Sequence, residues 1–347
     1  MKILVSALEH SANIHLKSVK KELGEDVEFI GIFDNSLGNP IVDLRSLSIM
    51  GFVDALKKIL FFFKLNSQML ELAKDADKIL LIDSSAFNLP LAKKIKKKYP
   101  HKEIVYYILP QAWAWKKGRI PVLERTVDKL CSILPFEKDY YSKNAPITYV
   151  GHPLLDQITE YKEELNKEIK NIVFMPGSRK GEISKLMPIY HKLREKLNVN
   201  ATILIPNYFS QKDIELLYGD LSKFEIKENA HKTLKEADFA FICSGTATLE
   251  ASIIGVPFIL TYIAKPLDYF IATKFVKIEY VGLANIMFSK INQRVMHPEF
   301  IQDDVSVDNL LKSYQEYNRA TFLDDSKKLR NYLKHGSSKR VASIVKA

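Results

Sequence analysis

The sequence has little cysteine, little tryptophan and no long apolar run. Its 347 residues include only Cys131 and Cys243, both in apolar segments, where we expect buried free thiols. So few cysteines, with no Cys/His cluster, exclude a zinc ribbon or a disulfide scaffold. The longest apolar stretch, 253–264, is broken by Gly255 and Pro257 and falls short of the roughly 20 residues of a membrane-spanning helix. We therefore expect a cytoplasmic protein that meets a membrane only peripherally.

Acidic residues are also outnumbered. The chain has 51 Lys and Arg against 41 Asp and Glu, a net charge of +10, and a pI near 9.2. Apolar residues make up 47%, which is a globular composition and excludes a disordered chain. The excess of positive charge indicates an anionic partner, which composition alone leaves open between nucleic acid, a small phosphate compound and an anionic membrane.

Short runs rich in Val, Ile and Phe alternate with segments of helical period, and this alternation predicts an α/β fold. The predicted strands are 2–7, 27–33, 78–83, 103–109, 129–134 and 147–150, then 171–175, 201–205, 224–227, 239–243 and 257–263. Their continuous apolar character is typical of parallel strands covered on both faces. After residue 305 or so, only helical patterns remain.

The strand pattern stops and restarts around a charged stretch, 161–170, which has no apolar face and is expected to be a solvated helix or linker. We therefore predict two doubly wound, Rossmann-like domains, 1–160 and 171–320, and expect a C-terminal helix, 322–347, to complete the first. Ligands bind beyond the carboxyl ends of strands in such sheets, so two facing domains would enclose a cleft.

In the second half, the pattern of the segment 241–251 predicts a strand, a turn of small residues and a helix. The turn Ser244-Gly245-Thr246 leaves the N–H groups of the helix start open, and such an N-terminus attracts an anion such as phosphate. Glu250, one turn into the helix, can accept hydrogen bonds from the hydroxyls of a ribose. The alternative is structural, with Ser244 or Thr246 as N-cap and Glu250 as its capping-box partner.

The segment 171–183 repeats this pattern. Gly177 can take backbone angles that other residues avoid, Ser178 offers a hydroxyl, and Arg179 can grip a phosphate through two N–H groups. A plain connection with a surface arginine is the alternative. Two phosphate-suited turns in one domain favour a nucleoside diphosphate site, although neither is a Walker sequence.

In the first half, an apolar strand ends at Asp83. A carboxylate in this place faces the ligand side of the sheet, where partial burial can raise its pKa enough for a general base. Asp83 can instead cap the following helix, and Asn88 can bond either a substrate or its own helix.

The segment 50–65 combines a helical period with a surplus of apolar bulk. At 100° per residue the apolar stripe covers about half of the circumference. It consists of Phe52, Val53, Ala55, Leu56, Ile59, Leu60, Phe62 and Phe63. Phe61 and Leu65 fall outside it, on the charged face that we expect to be wet. Such a helix suits a membrane interface or an acyl groove, and a helix packed between two layers is the alternative. The lysines of 91–99 would each add about 1 kcal/mol at an anionic lipid surface.

No metal or cofactor is indicated. Asp75 and Asp77 have the D-x-D spacing with which some sugar transferases hold a divalent ion, but they precede their strand. The histidines, including His10, His15 and His152, show no ligand spacing on a common element.

A succession of short motifs resembles the lipid-A-disaccharide synthase family, bacterial glycosyltransferases that join two acylated glucosamine units in lipopolysaccharide assembly. The motifs, in order, are IMGFVDAL (49–56), LIDSSAFN (81–88), LPQAWAWKKGRI (109–120), ILPFEKDYY (133–141), YVGHPLLD (149–156), MPGSRKGEI (175–183), CSGTATLEA (243–251), YIAKPLDY (262–269) and YVGLANIM (280–287). Each is modest, but their order along nearly the whole chain is specific.

The resemblance implies the B-type glycosyltransferase fold, with UDP in the second domain and the acylated acceptor in the first. It implies an inverting, metal-independent transfer from UDP-2,3-diacylglucosamine to 2,3-diacylglucosamine 1-phosphate. The products are a β-1,6-linked lipid A disaccharide 1-phosphate and UDP.

Residue patterns and resemblance together name the candidate site. Asp83 matches the essential carboxylate and is the candidate base. The residues expected at UDP and its phosphates are Gly177, Ser178, Arg179, Ser244, Gly245, Thr246, Glu250 and Asn285. Those expected at the acceptor or in the cleft are Glu9, Ser11, Asn88 and Gln111. Those expected at the acyl chains or the membrane are Phe52, Leu56, Ile59, Leu60, Phe62 and Phe63.

One segment departs from the family. The loop G-E-x-S-G-D after the first strand is replaced by residues 8–13, which keep Glu9 and Ser11 but lose both glycines and the aspartate. Leu8 and Ala12 do not take positive φ as cheaply as glycine, so we expect a differently shaped loop.

The expected partners are the two acylated sugars and the anionic inner face of the inner membrane, without nucleic acid. Family members can also form a homodimer by exchanging C-terminal segments. Two alternatives stand beside this function. One is another UDP-sugar enzyme of the same fold, a 2-epimerase or a transferase with a polyprenyl-linked acceptor. The other is a non-catalytic protein for anionic surfaces, which leaves Asp83, Glu250 and the glycine turns unexplained.

Overall fold

A computed structural model of the protein describes residues 1–42, 55–114, 116–243, 245–265, 279–292 and 294–347, without the side chains of 55–58. The chain divides into two compact units. Unit 1 comprises Met1–Asp156 and Leu333–Ala347, and unit 2 comprises Gln157–Tyr332. Each unit has a six-stranded parallel sheet with helices, which confirms the predicted α/β class.

Unit 1 has the strand order β2-β1-β3-β4-β5-β6. The strands are β1 (Lys2–Ser6), β2 (Glu28–Ile32), β3 (Lys78–Ile82), β4 (Ile104–Tyr107), β5 (Lys129–Ser132) and β6 (Ile147–Tyr149). The helices are α1 (His10–Leu23), α2 (Ala55–Leu72), α3 (Ser85–Lys98), α4 (Ile120–Thr126) and α5 (Pro153–Gln157). The order reverses between β1 and β3, and such a switch point is where open α/β sheets bind ligands.

The sheet of unit 1 is buried on both faces because its strand residues are apolar on both. Ile79 and Leu81 pack into the cluster that holds α2 and α3, while Leu80 and Ile82 pack into the cluster that holds α1. Alternate side chains of a strand point to opposite faces, so a continuous apolar run fills both layers.

Unit 2 has the strand order β12-β11-β10-β7-β8-β9, with its switch point between β7 and β10. The strands are β7 (Asn171–Met175), β8 (Asn200–Leu204), β9 (Glu225–Lys227), β10 (Phe239–Cys243), β11 (Phe258–Tyr262) and β12 (Glu299–Ile301). The helices are α6 (Lys180–Lys196), α7 (Gln211–Tyr218), α8 (Ala230–Glu236), α9 (Thr246–Ile254), α10 (Leu283–Phe288), α11 (Val307–Gln315) and α12 (Phe322–Leu333).

Strand β12 was not predicted from the sequence. It has three residues, all only half-buried, and pairs with β11 alone at the edge of the sheet. A strand this short, with Glu299 at its start and Pro298 before it, carries no periodic signal.

The last helix, α13 (Ser337–Lys346), returns to unit 1 and packs against α1. Asp156 fixes its start, because the carboxylate accepts the N–H of Gly336 at 2.7 Å and that of Ser338 at 2.8 Å. Helix α12 does not cross back with it, since Phe322 packs on Phe258 within unit 2. The crossing segment is therefore shorter than the expected range 322–347.

The structure also bears on the predictions for the stretch 161–170 and for the two cysteines. The charged stretch 161–170 forms no helix, and its Lys162 N–H donates to the Ile254 carbonyl at the end of α9, at 2.7 Å. Cys131 in β5 and Cys243 in β10 are buried free thiols, as predicted. Within the described ranges, no helix has the length and apolarity to cross a membrane.

Candidate active site

The switch point of unit 1 opens into a pocket of about 710 Å³, which we call the Asp83 pocket. Leu8 and Glu9 follow β1, and Asp83 follows β3, so the two neighbouring strands deliver them to one edge of the sheet. The described lining residues are Leu8, Glu9, Ile59, Phe62, Phe63, Asn66, Asp83, Ser84, Ser85, Ala86, Phe87, Pro90 and Lys94. The pocket thus joins a carboxylate pair to an apolar wall.

Asp83 is held in a strained backbone conformation. It has φ 51° and Ser84 has φ 40°, so two successive non-glycine residues are left-handed. Such residues cost of order 1–3 kcal/mol each and persist only where their surroundings enforce them. Here the Asp83 carbonyl accepts hydrogen bonds from the Tyr106 hydroxyl at 2.6 Å and from Asn88 Nδ2 at 2.9 Å. These two bonds fix the turn that presents the Asp83 carboxylate.

Asn88 lies beneath this turn and is fully buried. Its Nδ2 also donates to the Ile82 carbonyl at 3.2 Å, and its Oδ1 accepts from Ser6 Oγ at 2.6 Å. Asn88 was predicted to bond either a substrate or its own helix, but its side chain bonds the end of β3 and the turn after it.

The Asp83 carboxyl group is more basic than an ordinary aspartate. Burial raises its pKa, the nearby Glu9 carboxylate raises the pKa further, and a hydrogen bond from the Ser84 N–H partly opposes both. Ser84 Oγ in turn donates to Glu9 Oε1 at 3.3 Å. A half-buried carboxylate with a raised pKa is suited to accept a proton from a hydroxyl.

Helix α2 presents apolar side chains to the pocket and to solvent. Ile59 is 51% exposed, Leu60 62% and Phe63 62%, and Phe62 packs edge-on against Phe87. Of these, all but Leu60 line the pocket. The predicted acyl or membrane contacts that the structure describes are thus on the outer face of the helix.

The prediction that Phe61 and Leu65 lie on a solvent-exposed face of the helix is wrong. Leu65 is buried at 1% exposure, and Phe61 packs against the same core cluster. Because apolar residues occur all round this helix, its inward face is set by the core residues Leu65, Met69 and Ala73 further along. Phe52 and the side chain of Leu56 lie outside the described residues.

Two other predicted acceptor contacts lie apart from the pocket. Ser11 is exposed on the first turn of α1, and Gln111 is exposed in the turn after β4. Neither is among the residues that line the Asp83 pocket.

At the switch point of unit 2, the turn after β7 requires glycine. Gly177 has φ 105°, and a Cβ there would lie 2.6 Å from Glu182 Oε2 and 3.1 Å from Cys243 Sγ. The second contact shows that the turns after β7 and β10 meet. Ser178 is exposed beside Gly177, and its carbonyl accepts from the Tyr208 hydroxyl at 2.7 Å.

Arg179 is the N-cap residue of α6, and 80% of its side chain is exposed. Its guanidinium donates to Glu182 Oε1 at 2.9 Å, and this bond raises the pKa of Arg179. Glu182 also accepts the backbone N–H of Arg179 at 3.4 Å as the N3 residue of a capping box. The guanidinium is thus held at a helix start, which favours an anion, although Glu182 offsets part of its charge.

Helix α9 begins after Gly245, which has φ 144° and caps the helix without a side-chain hydrogen bond. Gly245 and Thr246 are exposed, and Ser244 lies outside the described residues. Glu250 Oε2 lies 3.8 Å from His231 Nε2 on α8. The N-cap residue of α9 is Gly245, and not Thr246 as the structural alternative had allowed. Burial raises the pKa of Glu250, and His231 partly opposes this.

Asn285 is fully buried in α10. Its Nδ2 donates to the His297 carbonyl at 2.9 Å and to Glu299 Oε1 at 2.8 Å, and its Oδ1 accepts from Met296 N–H at 2.8 Å and His297 N–H at 3.2 Å. These bonds use both donors and both lone pairs of the amide. Asn285 therefore ties the segment before β12 to α10 and keeps no group for the predicted contact with UDP.

Sequence reasoning missed several residues of the site. Tyr106, Ser6 and Asn66 were not singled out, because their bonds join positions far apart in sequence. Lys94 carried a local signal: it follows Ala86 and Pro90 at steps of four residues, which places all three on one face of α3. Among the described residues, no group of three or more His, Cys, Asp or Glu is placed to hold a metal ion.

Comparison with known sequences gives one family over nearly the full chain. Residues 3–346 match the lipid-A-disaccharide synthetase family. The chain is 50% identical over 354 residues to the lipid-A-disaccharide synthase of Helicobacter pylori strain G27, covering 98% of this chain and 97% of that protein. It is 45% identical over 363 residues to the lipid-A-disaccharide synthase of Campylobacter jejuni strain RM1221, covering 99% and 98%.

Solved structures give the fold. The chain is similar to the UDP-GlcNAc 2-epimerase of Neisseria meningitidis bound to UDP-GlcNAc, with a TM-score of 0.63, 12% identity and 100% coverage of both chains. It is also similar to MurG of Acinetobacter baumannii, with a TM-score of 0.58, 15% identity and 99% coverage of both. At such low identity these likenesses show the shared two-domain architecture alone.

Proposed function

The chain belongs to the lipid-A-disaccharide synthase family. We propose that it transfers an acylated sugar from a UDP-linked donor to an acylated sugar phosphate. The donor is UDP-2,3-diacylglucosamine and the acceptor is 2,3-diacylglucosamine 1-phosphate. The products are the β-1,6-linked disaccharide 1-phosphate and UDP.

The observation that carries this proposal is the composition of the Asp83 pocket. A carboxylate with a raised pKa lies at one end, and Ile59, Phe62 and Phe63 form an apolar wall continuous with the exposed face of α2. An acylated sugar has the matching parts, a hydroxyl to deprotonate and hydrocarbon chains to bury. Asn66 Oδ1, buried and without a hydrogen-bond partner in the described structure, offers an acceptor to a sugar hydroxyl or amide.

The chemistry assigned to Asp83 is a single displacement. Its carboxylate takes the proton of the acceptor 6-hydroxyl as that oxygen forms a bond to the anomeric carbon of the donor. The bond from this carbon to the diphosphate oxygen breaks, and its electron pair leaves with UDP. Attack opposite to the leaving group inverts the anomeric centre, from the α-linked donor to a β-linked product.

UDP is assigned to unit 2. Gly177, Ser178 and Arg179 at the start of α6, with Gly245 and Thr246 at the start of α9, offer N–H groups and a guanidinium to the diphosphate. Glu250 is assigned to the ribose hydroxyls. The same groups can stabilise the charge that develops on the departing diphosphate, and we propose that the reaction proceeds without a metal.

The exposed face of α2 is assigned to the surface of an anionic membrane, from which the acylated substrates are drawn. The lysines of α3 contribute unequally, because Lys96 is paired with Asp128 and Lys98 with Glu71. Lys93 and Lys97 are exposed on the same helix. A homodimer formed by exchange of C-terminal segments stays a prediction, since α13 packs against its own chain.

The test is incubation of the protein with the two defined acylated substrates, followed by mass spectrometry. We expect equal amounts of disaccharide phosphate and UDP, in the presence of EDTA as in its absence. A 2-epimerase would instead produce an epimerised UDP-sugar with no acceptor consumed. Absence of both expected products at every acyl length tried would contradict the proposal.

A further inference from the structure

The Asp83 pocket has a strongly uneven distribution of charge. Asp83 and Glu9 carry negative charge beside the switch point, and the side chains between are mostly apolar. Among the described residues that line the pocket, the cation is Lys94. The anionic group of a ligand is repelled from the acidic end of the pocket. The position of Lys94 therefore determines how such a ligand is oriented.

Unlike Lys96 and Lys98 on the same helix, Lys94 forms no ion pair within the part of the chain that the structure describes. Lys96 Nζ lies 2.7 Å from Asp128 Oδ2, and Lys98 Nζ lies 2.6 Å from Glu71 Oε1. The Lys94 ammonium instead lies 6.0 Å from the ring centroid of Phe63, with no carboxylate at ion-pair distance in the described structure. Its half-buried charge is therefore available to a ligand in the pocket.

The spacing along α3 suits a single sugar. Lys94 is nine residues beyond Ser85, about 13.5 Å along the helix axis at 1.5 Å per residue. Helical side chains lean towards the N-terminus, so the lysine stem brings its ammonium back towards Asp83. A pyranose 1-phosphate is shorter than this rise, and the backward-leaning lysine stem has to make up the difference for the sugar to reach Asp83 with its hydroxyl and Lys94 with its phosphate.

We propose that Lys94 binds the phosphate of the glycolipid acceptor and thereby turns the 6-hydroxyl of the sugar towards Asp83. The ligand class is a phosphate monoester on an acylated sugar. The proposal rests on the proposed function, which it deepens by naming the residue that selects a phosphorylated acceptor. The same ammonium chemistry would also suit a phospholipid headgroup, so the test separates the two sources.

The test is steady-state kinetics in neutral detergent micelles, which contain no anionic lipid. Wild type, Lys94→Met and Lys94→Arg are compared on 2,3-diacylglucosamine with and without its 1-phosphate. Lys93→Met, an exposed lysine that does not line the pocket, is the matched control. We expect Lys94→Met to raise the KM of the phosphorylated acceptor about tenfold or more, the size of a lost charge-assisted contact.

The same variant should leave the KM values of the donor and of the phosphate-free acceptor unchanged. Lys94→Arg should keep most of the preference for the phosphorylated acceptor, and Lys93→Met all of it. An equal loss on both acceptors would show a packing role and overturn the proposal. So would an effect seen only on vesicles of anionic phospholipid, since that would assign Lys94 to the membrane.

Failure of the proposal can be told from failure of the proposed function. If wild type forms disaccharide and Lys94→Met retains the full preference for the phosphorylated acceptor, only the assignment of Lys94 is wrong. If wild type forms no disaccharide from either acceptor, the proposed function is wrong and the assignment falls with it.

Discussion

The two switch points lie at the same place in two similar sheets, but they differ in the type of residue that has a positive φ. After β7 and β10 in unit 2, the described positions with positive φ are glycines, Gly177 and Gly245. After β3 in unit 1, the positive φ values belong to Asp83 and Ser84. Glycine adopts these angles without cost, whereas other residues are strained there.

We propose that the difference follows from which part of the chain binds the ligand, the backbone in unit 2 and a side chain in unit 1. A diphosphate is bound by backbone N–H groups, and glycine lets the ligand approach them closely. Proton transfer needs a side chain at the same place, and glycine has none. Unit 1 therefore accepts a strained aspartate and holds it with hydrogen bonds from Tyr106 and Asn88, each worth about 1 kcal/mol.

Replacing Asp83 should lower kcat more than any of the other substitutions. Asn tolerates left-handed angles much as Asp does, so Asp83→Asn keeps the turn and removes only the base. We expect kcat to fall about a thousandfold, within the range usual for general-base catalysis. Ser11→Ala, on the surface of α1, is the control and should match wild type. Retention of more than a tenth of the activity by Asp83→Asn would show that another group takes the proton.

Arg179→Ala should weaken binding of the donor at the switch point of unit 2. Loss of a charge-assisted hydrogen bond to phosphate is expected to raise the donor KM by about 10- to 100-fold and to leave the acceptor KM unchanged. Lys180→Ala is a neighbouring control, because Lys180 is already paired with Asp213 and should matter less. A donor KM that does not change in Arg179→Ala would remove this residue from the phosphate site.

Tyr106→Phe should loosen the strained turn without touching a substrate. We expect kcat to fall about tenfold with little change in either KM, together with a loss of about 1 kcal/mol in the free energy of unfolding. The adjacent Tyr107→Phe is a matched control, since its hydroxyl lies 2.8 Å from Ser337 Oγ, away from the pocket. It should lose similar stability but retain kcat. Equal losses of kcat in both variants would mean that Tyr106 acts only through stability.

Glu9→Gln should give the smallest effect, a shift in pH dependence. The base must be deprotonated, so kcat/KM falls as pH falls through the pKa of Asp83. The Glu9 carboxylate raises that pKa, and its removal should move the acidic limb to lower pH. Glu25→Gln, exposed in the turn before β2, should leave the limb in place. A shift to higher pH would contradict the assigned interaction.

Much of this site could be predicted from local sequence patterns. The end of β3 at Asp83 and the turns at Gly177 and Gly245 are local features, in which a strand, a turn and a helix follow one another along the chain. Backbone strain at Asp83 could not be predicted, because the groups that enforce it are distant: Ser6 bonds Asn88 across 82 residues of sequence.

Two predictions lacked information on contacts that lie further along the chain. The inward face of α2 could not be chosen because apolar residues surround its first turns, and the buried residues Met69 and Ala73 decide it from further along. Asn285 was placed at UDP by resemblance, but its amide is fully bonded to the segment 296–299. Hydrogen-bond saturation of this kind is visible only when both partners are placed.

The most direct test of the division between the two switch points is calorimetric titration of UDP into wild type, Asp83→Asn and Arg179→Ala under one condition. We expect Asp83→Asn to bind UDP like wild type although it does not turn over, and Arg179→Ala to bind UDP about 10- to 100-fold more weakly. Loss of UDP affinity in Asp83→Asn equal to that in Arg179→Ala would contradict the account, because unit 1 would then hold the nucleotide as well.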